Sequence, residues 1–312
     1  MTLLVLTNSS PGATRNAGTN GDLCTLLDWA LPQAGWAIEY TATNARVYRP
    51  GTGNRFRLHV RHDSAVSGAA QRALVRGCEN ASSATVLTDP FPLAAQVGDT
   101  ASNWLVSSTA DTTDRPFVIY LTETFVYYFS KFSSTAETWE MGFFGDPSPS
   151  LTDPWGTVCS VRATASNGLA ANQGIQQLVS GNLSSLTAGL WWCRDITGAT
   201  KSSTGILHAS GTQLGVVANT PTARAGYGNR IYREYVGVSD RASTTTTASS
   251  LGLVKRGWMP NMWSGLHTTR GTVSDADSFT DTAYNALATF RIHPAALGPW
   301  VIMEDSDTWV SP

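Results

Sequence analysis

The chain has 312 residues, a length that fits one large domain or two lobes. Charged residues are 14% and hydrophobic ones 42%, so a packed core is within reach and wholesale disorder is excluded. A formal net charge of −2 argues against bulk electrostatic capture of nucleic acid or an anionic membrane.

The opening Met1–Leu6 run is too short for a membrane span or a signal segment and lacks a basic flank, so no secretion is expected from it. Between residues 19 and 32, Leu23, Leu26, Leu27, Ala30 and Leu31 recur at helical spacing. Asn20 or Asp22 can cap this helix, and Pro32 marks its end. The period then changes to two, with Trp36, Ile38 and Tyr40 alternating with Ala37 and Glu39. After the turn-rich Gly51–Asn54 comes the cleanest strand, Arg55–Arg61. Phe56, Leu58 and Val60 face one way, and Arg55, Arg57, His59 and Arg61 the other. Residues 35–62 therefore read as an antiparallel hairpin or meander.

Residues 64–76 read as weakly helical, and Asp89–Pro92 as a rigid loop. Phe117–Leu121 and Thr124–Phe129 are apolar on both faces, as buried strands are, with Thr122-Glu123 as the turn between them. The breaker-rich run 142–156 predicts a loop and a boundary, giving an N-terminal lobe at 1–156 and a C-terminal lobe at 157–312, or one continuous domain. Strands are expected at Leu190–Cys193, Arg230–Val236 and Trp300–Glu304, and an exposed Ser/Thr loop at 243–250. Gly51–Phe56 echoes Gly226–Ile231, each followed by a basic segment read as a turn; duplication and coincidence both explain it. The abundance of Ser (31) and Thr (39), together with 28 Gly, 14 Pro and many aromatics, favours turn-rich β-structure. The expected fold is mainly β, α+β at the margin. It consists of antiparallel, sandwich-like sheets with a short N-terminal helix and one or two minor helices.

Signatures of chemistry are sparse. The chain has neither a G-x-S-x-G elbow nor an H-E-x-x-H pair, and Gly51-x-Gly53 lacks the rest of a phosphate loop. Cys24, Cys78, Cys159 and Cys193 form no C-x-x-C and read as buried free thiols. His59, His62 and Asp63 can form part of a metal site at a strand end, or a polar edge beside a turn. Asp275, Asp277 and Asp281 lack the glycine and Glu of a Ca²⁺ loop, and capping of a helix at 279–287 is the simpler role. Glu304, Asp305 and Asp307 read as a solvated turn. Trp258 and Trp263 flank Pro260 in an expected surface loop, where they can stack on a sugar or fill an interface.

Five arginines fall between Arg46 and Arg61 with no acid before Asp63. This pattern fits nucleic-acid backbone contact, an intersubunit surface, or a solvated strand face. Arginine's planar fork pairs two-to-two with carboxylates, which favours the interface. On that reading Arg55, Arg57, His59 and Arg61, with the Gly51–Asn54 turn, meet acidic loops of a neighbouring copy such as 275–281 or 304–307.

Trp36-Ala37-Ile38-Glu39-Tyr40, Tyr48-Arg49, Gly51–Val60 and Asp63 carry a resemblance that continues through Arg76-Gly77-x-Glu79, Asp89–Pro92, Trp104, Asp114–Val118 and Phe144–Asp146. It extends to Val238–Asp240, Arg256-Gly257-Trp258-x-Pro260 and Asp305–Trp309. In these stretches, which span most of the chain, the sequence resembles structural proteins of tailed-bacteriophage particles. The resemblance implies a virion component made in the host cytoplasm, sited at the head–tail junction, the tail or the capsid surface. It implies no catalytic residues, no cofactor and no metal, and as partners copies of the chain and other virion proteins rather than membrane or nucleic acid. The alternative is a glycan-binding or capsid-surface accessory protein.

Overall fold

The computed structural model describes residues 2–67, 69–93, 103–131, 139–149, 153–161, 190–194, 198, 230–238, 254–266, 278–280, 289–293 and 301–306. The chain enters through β1 (Leu4–Thr7) and α1 (Asp22–Ala30), which tightens into a 3₁₀ turn at Leu31–Ala34. A meander follows: β2 (Ala37–Ala42), β3 (Ala45–Arg49), β4 (Arg57–Arg61), the one-turn helix α2 (Ser64–Ser67), β5 (Arg72–Ala81), β6 (Leu87–Phe91) and β7 (Asn103–Leu105). Next come β8 (Phe117–Leu121), β9 (Phe125–Lys131), β10 (Trp139–Gly145), β11 (Ser148–Pro149), β12 (Val158–Val161) and β13 (Leu190–Trp192). The last set is β14 (Arg230–Val238), β15 (Val254–Leu266), β16 (Ser278–Thr280), β17 (Thr289–His293) and β18 (Val301–Glu304).

These strands form three antiparallel sheets. The N-terminal sheet runs β2-β3-β4-β5-β6, with β7 also on β5. The central sheet runs β1-β8-β9-β10-β12-β13, and the C-terminal sheet β11-β15-β18-β17-β16, with β14 on β15. Phe117, Ile119, Leu121, Val126 and Tyr128 of the central sheet pack into one core with α1 and with Tyr48, Leu58, Val60 and Val75 of the N-terminal sheet. The alternate residues Val118, Tyr120, Phe125, Tyr127 and Phe129 pack into a second core with Met259, Met262, Val301 and Met303 of the C-terminal sheet. The central sheet is thus the middle of three layers. This is why β8 and β9 are apolar on both faces, and why the mainly β, sandwich-like expectation holds.

Several local expectations are corrected. The central sheet continues through β12 and β13, so residue 156 does not divide it. Helix at 64–76 shrinks to α2, because Arg72–Ala81 pairs with β4, β6 and β7. Leu87–Phe91 is a strand rather than a loop. The expected helix at 279–287 begins instead as β16, paired with β17, while residues 281–288 lie outside the described ones. The basic segments following the two halves of the repeat are inside β5 and β15, not in turns. Residues 226–229 and 243–250 lie outside the described residues.

α1 buries Leu23, Leu26, Leu27 and Ala30 completely, the face its spacing predicts. Its N-cap is Gly21, at φ 87°, and Asp22 is its first helical residue. His62 takes over the capping. Its Nδ1 accepts the Leu23 N–H at 3.0 Å while its Nε2–H donates to the Ala70 carbonyl at 2.7 Å.

Candidate protein interface

β4 displays Leu58 and Val60 toward the core, and register puts Arg57, His59 and Arg61 on the outer face of the N-terminal sheet. Opposite residues in antiparallel strands share a face. His59 pairs with Val47 of β3 and Arg76 of β5, and Arg61 with Leu74. Arg49 and Arg72, each two residues along from Val47 and Leu74, join the same side.

This face is largely self-satisfied, which corrects the expectation that it is free. Arg57 Nε lies 2.9 Å from Glu39 Oε2, and its Nη1 donates to the Glu79 carbonyl. Arg49 stands 3.6 Å from the same carboxylate, and Arg61 3.3 Å from Asp63. His59 is buried, with Nε2 3.1 Å from the Ala84 carbonyl of the β5–β6 turn that folds across the face. Desolvation lowers its pKa to about 4, followed by repulsion from Arg76 and Arg61. Val47, Leu74 and Cys78 on this face are buried, while Arg49 and Arg61 keep 38% and 32% of their side chains exposed.

Arg55 is exposed at φ 63°, just ahead of β4. The Gly51–Asn54 turn before it is exposed at residues 51–53 and anchored from beneath. Asp146 Oδ2 accepts the Asn54 N–H at 2.6 Å, and the Glu123 carbonyl accepts the Thr52 N–H at 3.4 Å. Gly53, at φ 81°, is required here, since a Cβ would stand 2.3 Å from Asp146 Oδ2.

Trp258 and Trp263 are not on a loop; both lie in β15. Trp258 is half-buried opposite Tyr235. Trp263 is 5% exposed and donates Nε1–H to Glu304 Oε2 at 3.0 Å, so its ring has no face open for a sugar. Glu304 is fully buried and also accepts from Ser306 Oγ at 2.6 Å, which removes it as an acidic loop for a neighbour. Asp305 lies 3.5 Å from Arg291. Asp275, Asp277, Asp281 and Asp307 lie outside the described residues.

Sequence reasoning missed Arg194. Its buried guanidinium reaches Glu79 at 2.7 Å, donates to the Asp89 carbonyl at 2.6 Å and the Gly198 carbonyl at 2.8 Å, and lies 5.9 Å from the Phe56 and Trp155 rings. It ties the end of the central sheet to β5 and β6, partners distant in sequence that no local pattern indicates. His293, buried between the C-terminal and central sheets, lies 3.1 Å from Tyr120 Oη and stacks on Phe129 at 4.1 Å. Desolvation, then Arg291, lowers its pKa to about 3.

The four cysteines are buried and unbridged, as their spacing predicts. Both nitrogens of His62 are engaged within the chain, and His59 Nε2 contacts a carbonyl, so the His59–His62 edge serves structure. Among the described residues, no group of three or more His, Cys, Asp or Glu is placed to hold a metal ion. No protein-family model matches the chain, and no curated protein matches it.

Proposed function

We propose that the chain is a structural subunit of a tailed-bacteriophage particle, assembling through protein–protein contacts with copies of itself and with other particle proteins. One observation carries the reading: a three-layer β body presents a sheet face on which arginines are held in place by Glu39 and Asp63. Guanidiniums fixed before association lose little side-chain entropy on docking, which suits a part assembled by shape and charge. The aromatic slab between the central and C-terminal sheets supports it, because dense packing of Tyr120, Tyr127, Phe129 and Trp139 resists deformation under load. The sequence resemblance points the same way, and the head–tail junction or tail is the site it favours.

The test is compositional. Particles from a phage encoding this chain are banded on a density gradient, digested and quantified by mass spectrometry. The proposal expects the chain in the particle band at several copies per particle. Its confinement to the soluble fraction of the lysate overturns it.

A further inference from the structure

The start of α1 is clasped by hydrogen bonds to the connection between β4 and α2, and the clasp contains two groups that can react with one another. Asn20 directly precedes Gly21, the N-cap of α1. In an Asn-Gly pair the glycine nitrogen reaches the Asn carboxamide past no side chain, so ring closure is easier than at other bonds that follow Asn. The sequence holds one other such pair, Asn167-Gly168, which lies outside the described residues. The fold demands glycine at 21: its φ is 87°, and a Cβ would stand 2.6 Å from Asn44 Oδ1. Asn20 is exposed, so water reaches it.

Both reacting groups are tied down. The Gly21 N–H, whose nitrogen is the nucleophile, donates to the His62 carbonyl at 2.8 Å. The Asn20 carboxamide is held at both ends by Ser64, the first residue of α2. Its Oδ1 accepts the Ser64 N–H at 2.9 Å, and its Nδ2 donates to Ser64 Oγ at 3.3 Å. With the Leu23 N–H on His62 Nδ1, four hydrogen bonds join residues 20–23 to residues 62–64.

Independently of assembly, we propose that Asn20 is a site of spontaneous deamidation, gated by this clasp, and that its isoaspartyl product holds the clasp open. Once the clasp opens, the Gly21 nitrogen loses its proton to hydroxide and attacks Asn20 Cγ. A bond from that nitrogen to Cγ forms and the Cγ–Nδ2 bond breaks. Ammonia leaves with a proton taken from water, which balances the one lost, and a succinimide ring spans residues 20 and 21. Water then opens the ring at either carbonyl, with no oxidant or other co-reactant. Opening at Cγ gives an ordinary aspartate. Opening at the main-chain carbonyl gives isoaspartate, whose backbone runs through Cβ and Cγ and is longer by one carbon. That longer chain cannot keep both the Gly21 N–H on His62 and an acceptor from residue 20 on the Ser64 N–H.

The experiment is peptide mapping by mass spectrometry of the full chain held at pH 8, in buffer and in guanidinium chloride. The proposal expects a gain of about 1 Da at Asn20 in both. The gain is slower in buffer by about tenfold or more, because reaction waits on local opening. Ser64→Pro removes both partners of the Asn20 carboxamide at a first helical position that tolerates proline, and should speed the reaction in buffer by about threefold or more. Should that chain fail to fold by circular dichroism, Ser64→Ala replaces it and must still react faster than wild type. Equal rates in buffer and denaturant, no gain at Asn20 in either, or a Ser64 variant that reacts no faster overturns the gating. Hydrogen exchange of the fractionated isoaspartyl chain tests the consequence. Its Gly21 and Leu23 amides should exchange faster than those of the unmodified chain by about tenfold or more. Asn20→Asp, which keeps the backbone length and an acceptor for Ser64, should leave them slow. Protection that survives in the isoaspartyl chain, or is lost equally in Asn20→Asp, overturns that consequence.

Discussion

Replacing Gly142 by Ala tests how the first core is closed. Gly142 lies in the middle of β10, where a glycine normally weakens a strand, so an Ala at an unobstructed site would stabilise by about 0.5–1 kcal/mol. Here an added Cβ would stand 2.4 Å from Trp104 Cδ2 and 2.5 Å from Cε2. The indole cannot retreat cheaply. It is 2% exposed, donates Nε1–H to the Ser160 carbonyl at 2.7 Å, and stacks on Tyr128 at 5.8 Å and 14°. Overpacking costs about 1–3 kcal/mol, and a lengthened indole hydrogen bond about 1 more. Against the entropic gain, the net expectation is a destabilisation of about 1–3 kcal/mol. Urea unfolding of Gly142→Ala, Trp104→Leu and the double variant measures it. Because the smaller side chain vacates the space the methyl needs, the double variant should be more stable than the sum of the singles predicts by about 1 kcal/mol or more. A Gly142→Ala chain as stable as wild type, or strict additivity, refutes the reasoning.

Acid should loosen the fold: His59, His62 and His293 are buried neutral with pKa values below the ordinary 6.5, at about 4 for His59 and about 3 for His293. Stability contributed by a depressed histidine is complete above pH 6.5 and is lost as pH falls through the folded value, by about 3 kcal/mol in the limit for His59; urea midpoints from pH 7 to 3 read the loss, and a flat profile contradicts it. Arg194→Ala should cost about 2–4 kcal/mol by unpairing Glu79 and the Asp89 and Gly198 carbonyls, and Arg194→Lys should recover only part of it, as thermal melts will show. Burial pushes the Cys24 thiol up to about 11 and Cys78 to about 12, so both should resist a thiol reagent at pH 8 until urea unfolds the chain; fast labelling of the native protein contradicts their placement.

What the sequence made legible follows from what is periodic. The helical face of α1, the alternation in β4 and the two-sided apolarity of β8 and β9 are local signals set by burial, and the structure returns each of them. The misreadings share one cause, which is that local polarity was overruled by long-range pairing. Residues 72–76 look weakly helical but are drawn into a ladder by β4 and β7. Glu304 and Trp263 look like surface residues, yet satisfy each other across β15 and β18 and so can be buried. Alternation placed Arg57, His59 and Arg61 on one face correctly, but could not reveal that Glu39, one strand beyond β3, and the β5–β6 turn would occupy it. Arg194 carried no local pattern at all; its role exists only once the sheets are stacked.

A symmetry-resolved map of the intact particle tests the central claim most directly. The account predicts repeated copies of this chain around a particle axis, in contact with one another or with other particle proteins. A particle whose density contains no copy of the three-layer body contradicts it.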